Sequence, residues 1–225
     1  MSEIKVNKIS PATGTDITLG DSGDTLTVPS GGTIVNSGTA TGFGGGAWNK
    51  IHAQTVTGTP ATVIFDDTTA SEWFSADYKV YKLLISGLEP NITSGQWELY
   101  LEFEHAGSYV TSGYNWAVQS IKDNVTTYSQ RASASDSNIQ LTYDNIGGQA
   151  GAHSHWELTF DDPLGTSNWK TVYGHGAMVD HDSKNRLDVC TGGSATATAM
   201  TGFKFYLESS ATFRAGTFTL YGITP

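Results

Sequence analysis

Cysteine is nearly missing from this chain: the one thiol, Cys190, cannot close a disulfide within it. That fits folding and assembly in a reducing cytoplasm. No His or Lys adjoins Cys190 to favour the thiolate, so it reads as an inert thiol. Basic residues are also scarce, with 12 Lys and Arg against 22 Asp and Glu, a formal net charge of −10. Nucleic-acid phosphates and anionic membrane surfaces both require clustered cations, so neither partner is expected. No apolar run approaches the roughly 18–20 residues needed to span a bilayer. Met1 to Ser10, polar with Lys5 and Lys8, lacks the apolar stretch of a secretory signal. Long helices are excluded as well. Twenty-six glycines and abundant Ser and Thr are poor helix formers, and no segment sustains an apolar 3.6-residue period. Ser71-Glu72-Trp73-Phe74 is expected to make one helical turn and no more.

A further absence divides the chain. No Trp or Tyr precedes Trp48, and Phe43 is the first aromatic residue; all six tryptophans and ten tyrosines follow it. Residues 1–46 carry instead the apolar pairs Ile17/Leu19, Leu26/Val28 and Ile34/Val35, separated by Gly20-Asp21-Ser22-Gly23, Ser30-Gly31-Gly32 and Ser37-Gly38. Such a segment buries too little apolar surface to offset the entropy of ordering itself. The pairs recur about every eight or nine residues, as short strands joined by tight turns would, with Pro29 at a strand end. Three such strands are too short for a sheet of their own. Wound around two other copies they would make a triangular β-prism with a shared core; the alternative is a flexible tail. Gly42-Phe43-Gly44-Gly45-Gly46 reads as a hinge.

Residues 47–225 alternate with period two. Trp97, Leu99, Leu101 and Phe103 face one way, and Glu98, Tyr100, Glu102 and Glu104 the other. Inward rows repeat at Trp156/Leu158/Phe160, Phe203/Phe205/Leu207 and Phe218/Leu220. Tyr78 to Ile85 is more continuously apolar, as a strand covered on both sides would be. Ile51–Val56, Ala61–Phe65, Trp116–Ile121, Ile139–Tyr143 and Trp169–Tyr173 are further candidates. About eight to ten strands punctuated by turns predict an all-β fold, a β-sandwich or jelly roll.

Chemistry-bearing motifs are sparse. His153 and His155 lie at i and i+2 of a strand, on its polar face, where both could ligate one metal. Three chains at an axis would supply six imidazoles, enough for octahedral coordination; otherwise the pair is solvated. Asp180-x-Asp182-x-x-Asn185 lacks the glycine and distal Glu of a calcium loop and reads as a polar turn. Glu98, Glu102 and Glu104 read as the solvated side of a sandwich, since acid catalysis needs a shielded carboxyl. No Gly-x-Ser-x-Gly, P-loop or His-Glu-x-x-His occurs, so no enzyme and no cofactor are expected. Tyr109, Tyr114 and Trp116, set among Ser, Thr and Asn, are candidate ligand-binding aromatics, with core packing an equal explanation for Trp116.

The opening Lys5-Val6-Asn7-Lys8-Ile9-Ser10-Pro11 and Ile17-Thr18-Leu19-Gly20-Asp21-Ser22-Gly23-Asp24-Thr25 resembles the start of tail-fibre and related virion proteins of marine, notably cyanobacterial, bacteriophages. The ending, Phe213-Arg214-Ala215-Gly216-Thr217-Phe218-Thr219-Leu220-Tyr221-Gly222-Ile223, is similar to the closing strand of phage fibre and appendage proteins. The resemblance implies a homotrimeric virion structural protein, a tail fibre or short tail or capsid appendage. Its N-terminal segment would dock on other virion proteins and its sandwich would contact a host-surface glycan. Alternatives are a capsid decoration protein without a receptor role, a free carbohydrate-binding module, and a glycan hydrolase with a shielded carboxyl pair.

Overall fold

The computed structural model describes residues 25, 27, 28, 30–32 and 48–224, apart from 67–72, 93–96, 124 and 150. The chain divides into two units, Met1–Phe43 and Gly44–Pro225. In the first, a turn at Ser30-Gly31 is described, with Gly31 at φ 87°. Of the three expected strands, Val28 is described and is exposed without strand structure; the other apolar pairs, Leu26 and the glycine hinge lie outside the described residues. So do Ser71 and Glu72; Trp73 and Phe74 form a buried bend rather than a helical turn.

The second unit is all-β. Its strands are β1 (Trp48–Thr55), β2 (Thr62–Phe65), β3 (Val80–Pro90), β4 (Leu99–His105), β5 (Ser108–Tyr109), β6 (Tyr114–Lys122) and β7 (Ser129–Asp136). They continue with β8 (Ile139–Gln140), β9 (Ser154–Asp161), β10 (Lys170–Val179), β11 (Asn185–Ser194), β12 (Met200–Leu207) and β13 (Phe213–Ile223). An eight-stranded sheet runs β1-β13-β3-β9-β10-β11-β6-β7, and a smaller one runs β2-β12-β4-β5 with β8 on β4. Every pairing is antiparallel.

The sheets pack face to face over rows supplied by the period-two pattern. Leu99, Leu101, Phe103, Phe203, Phe205 and Leu207 of the small sheet meet Tyr81, Leu83, Leu158, Phe160, Phe218 and Leu220 of the large one, all wholly buried. Phe203 stacks on Phe65 at 4.8 Å and on Phe160 at 4.9 Å, so a run of rings ties the two layers. Offset aromatic pairs of this kind add about 0.5–1.5 kcal/mol each beyond the area they bury.

Three expectations need correction. β3 is interior in its sheet, but over the stretch from Tyr78 to Ile85 only Tyr81, Leu83 and Ile85 are fully buried. Val80, Lys82 and Leu84 are half-exposed on its outer side, where Lys82 pairs with Glu157. The glutamates of β4 are no open stripe: Glu102 and Glu104 are more than nine-tenths buried, Glu102 beside the Lys204 ammonium and Glu104 accepting from Thr201. And β10 continues well past Tyr173, to Val179.

Candidate functional site

β10, β11, β6 and β7 share one outer face. Registers set Tyr173 beside Thr191, Thr191 beside Ala117, and Ala117 beside Ala132. The neighbouring row on one side runs His175, Val189, Gln119, Gln130, and that on the other side Thr171, Gly193, Asn115, Ala134. None of these side chains is Asp, Glu, Lys or Arg, on a chain of net charge −10. Ala177, Leu187 and Ile121 extend the same uncharged surface.

The relief of this face follows from side-chain size. Small residues at Ala117 and Ala132 leave a shallow depression of about 670 Å³ edged by Tyr173, Val189, Gln119 and Gln130. A second hollow of about 400 Å³ adjoins it, edged by Trp169, Asn115 and Thr171. Trp169 is 64% exposed and Tyr173 55%, so both present open ring surface. Four strands spaced by about 4.8 Å, with a rise of about 3.4 Å per residue, make a patch of roughly 15 by 20 Å. That is far below the roughly 800 Å² per partner of a stable protein interface. Aromatic rings beside amide and hydroxyl groups suit a neutral, hydroxyl-rich ligand.

The aromatics singled out from sequence lie elsewhere. Tyr114 is wholly buried, its hydroxyl accepting from the Phe103 N–H at 2.7 Å, and Trp116 is buried with its indole donating to Asp136 at 3.1 Å. Both belong to the inward row of β6, so neither offers a ring to a ligand. Tyr109 is half-buried, donating to Asp66 at 3.0 Å under the Lys204 ammonium, 4.2 Å from its ring centre. Burial, then the Asp66 carboxylate, pushes its phenol up.

His153 and His155 flank a bulge of β3 where Gly87 takes φ 61°. His153 Nδ1 lies 2.9 Å from Glu89 Oε1, and His155 Nδ1 accepts from the Gly87 N–H at 3.3 Å. The two rings are thus engaged separately. Asp180, His181 and Asp182 bring three ligand atoms within 4.8 Å of one another. Protein cations already fill that space: Lys122 lies 2.7 Å from Asp180 and 2.9 Å from Asp182, and Arg186 lies 2.9 Å from Asp180. Burial pushes the Asp180 carboxyl up, but Lys122, the Lys184 N–H and Arg186 outweigh it and hold it below the usual carboxylate range. The turn is an ion-paired hairpin end.

A separate concavity, about 370 Å³, lies on the outer face of the small sheet. Registers place Tyr100 of β4 opposite Tyr206 of β12, and Glu102 opposite Lys204. The tyrosine rings are 5.4 Å apart and tilted, and Lys204 Nζ lies 2.8 Å from Glu102 Oε2. The one-turn 3₁₀ helix Glu208–Ser210 closes one end.

No family model, curated protein or solved structure matches this chain. Function therefore has to be argued from these surfaces. Sequence reasoning did not single out Trp169 and Tyr173 as exposed aromatics, although their strand was recognised. The available signal was the phase Thr171/Tyr173/His175/Ala177, set against inward Val172.

Proposed function

We propose that this protein is a non-enzymatic appendage of a bacteriophage particle, trimeric, that contributes to host attachment. Residues 1–46 hold it to other virion proteins, and the sandwich carries the contact to a host-surface glycan. The uncharged outer face of β10, β11, β6 and β7, with Trp169 and Tyr173 open at its edge, carries the reading. The fibre-like sequences at both ends of the chain support the virion setting. On an acidic protein, the outward side chains of these strands offer a neutral glycan uncharged contacts, with Arg131 the one charged residue lining the depression. Three copies held together raise the effective local concentration and multiply weak contacts into avidity.

Two measurements test this. Light scattering after size exclusion should give a trimer for the full chain and a smaller species for a chain starting at Trp48. Purified protein should compete with phage for host cells, and Trp169→Ala with Tyr173→Ala should abolish the competition. Both side chains are exposed, so the double variant should keep wild-type stability within about 1 kcal/mol, the sum of two surface changes. Undiminished competition by that variant would remove the face from the mechanism. Unchanged adsorption of particles lacking the protein would leave decoration as its role.

A further inference from the structure

The concavity on the small sheet brings together groups that a purely structural surface would keep apart. The Glu208 N–H donates to the Glu98 carbonyl at 3.1 Å. The Glu98 carboxyl, then burial, pushes the Glu208 carboxyl up to about 7, with Arg131 opposing. Arg131 of β7 reaches Glu98 Oε1 at 2.8 Å, and the Tyr100 hydroxyl donates to Glu98 Oε2 at 3.3 Å. Asp136, also on β7, adds negative potential at Tyr100. Deeper in the groove, Glu102 is more than nine-tenths buried and its Oε2 accepts no well-directed hydrogen bond, its contact there being the Lys204 ammonium. The Tyr206 phenol is pushed up by burial and then by Glu102.

Aromatic faces beside carboxylates attract an organic cation, by ring quadrupole and by charge. The cations already present are committed: Arg131 to Glu98, and Lys204 to Glu102 under the tyrosines. Among the described residues no Lys or Arg forms an ion pair with Glu208, while Glu98 has Arg131 and Glu102 has Lys204. We infer that the groove lined by Tyr100, Tyr206 and Glu208 is a binding site for an organic ammonium group. It lies on the other sheet from the neutral face, although Arg131, the partner of Glu98, also edges the depression there. A metal ion fits less well, since hard cations require six or more oxygen ligands.

Calorimetric titration of the full chain tests this with paired probes: choline against neutral 3,3-dimethylbutanol, and glucosamine against N-acetylglucosamine. At least one ammonium probe should bind where its neutral counterpart does not, and which one binds tells a choline-type headgroup from an amino sugar. With the Glu208 proton leaving near pH 7, the affinity of choline, whose charge is permanent, should rise about tenfold between pH 6 and pH 8; glucosamine, whose own ammonium deprotonates in that range, should fall short of the full rise. Binding at pH 6 should release a proton, seen as a dependence on buffer ionisation heat. Glu208→Gln and, separately, Glu98→Gln should each abolish binding while leaving the melting transition cooperative. Equal binding of the charged and neutral probes, no binding of either ammonium, or affinity unchanged in both Gln variants would each overturn the assignment.

Discussion

Asp180 remains ionised although wholly buried, because Lys122, Arg186 and two backbone N–H groups, of Asp182 and Lys184, surround its carboxylate. Removing one partner of such a cluster leaves an uncompensated buried charge. Asp180→Asn takes from the Arg186 guanidinium, itself only 4% exposed as a residue, one of its two carboxylate partners, leaving Asp144 at 3.2 Å, and should cost about 3–5 kcal/mol in urea denaturation. Gly176 is a different case. A Cβ there would lie 2.2 Å from the Trp156 ring, which has to move. Gly176→Ala should therefore destabilise by about 1–3 kcal/mol, as overpacking does, with a change in Trp fluorescence marking the displaced ring.

Among the elements, the loop between β9 and β10 is held in an unusual way. Lys170 occupies an inward position of β10, and its ammonium donates to the carbonyls of Asp162 at 3.2 Å and Asn168 at 3.1 Å, and to that of Gly165. Burial pushes its pKa down, with Asp162 and Asp161 opposing. Lys170→Met leaves those carbonyls without their donor, at about 1–3 kcal/mol for each left unsatisfied. Hydrogen exchange should quicken across Asp162–Asn168 before it does in β10 itself. The sequence does not announce this, since a lysine ahead of Thr171 and Val172 looks like a strand's solvent side. The same blind spot hid β7 and β11. β11 turns Arg186, Asp188 and Cys190 inward, and β7, Ser129 to Asp136, has almost no apolar side chain. Aromatic rows revealed β4, β9 and β12 because alternation is legible when the core side is apolar. Where the buried side is ionic, the same period carries no hydrophobic signal. For that reason the β4 glutamates looked solvated; Tyr114 and Trp116 looked available on another ground, the Ser, Thr and Asn residues set around them.

For the whole molecule, carboxyls shifted in opposite senses shape stability against pH. Asp180 and Asp182 are held below the ordinary value, so their contribution is present above about 4 and lost as pH falls through their folded pKa. Glu208 and Asp188 are raised, by the Glu98 carboxyl and by burial respectively. Their contribution is complete below about 4 and, for Glu208, lost as pH rises through about 7. Thermal melts should thus lose stability at both ends, and Glu208→Gln should flatten the decline between about pH 4.3 and pH 7. The strand order has a temporal consequence too. β13 lies between β1 and β3, joining Trp48 to Ile223 and Val80 to Ile223 in register. At roughly 5–20 residues per second of synthesis, β1 and β3 emerge from the ribosome well before the strand that pairs with both. Until then each has an open edge, an invitation to mispairing between nascent chains. The last-made strand completes the large sheet, so a chain stopped short of Phe213 is exposed to aggregation or degradation.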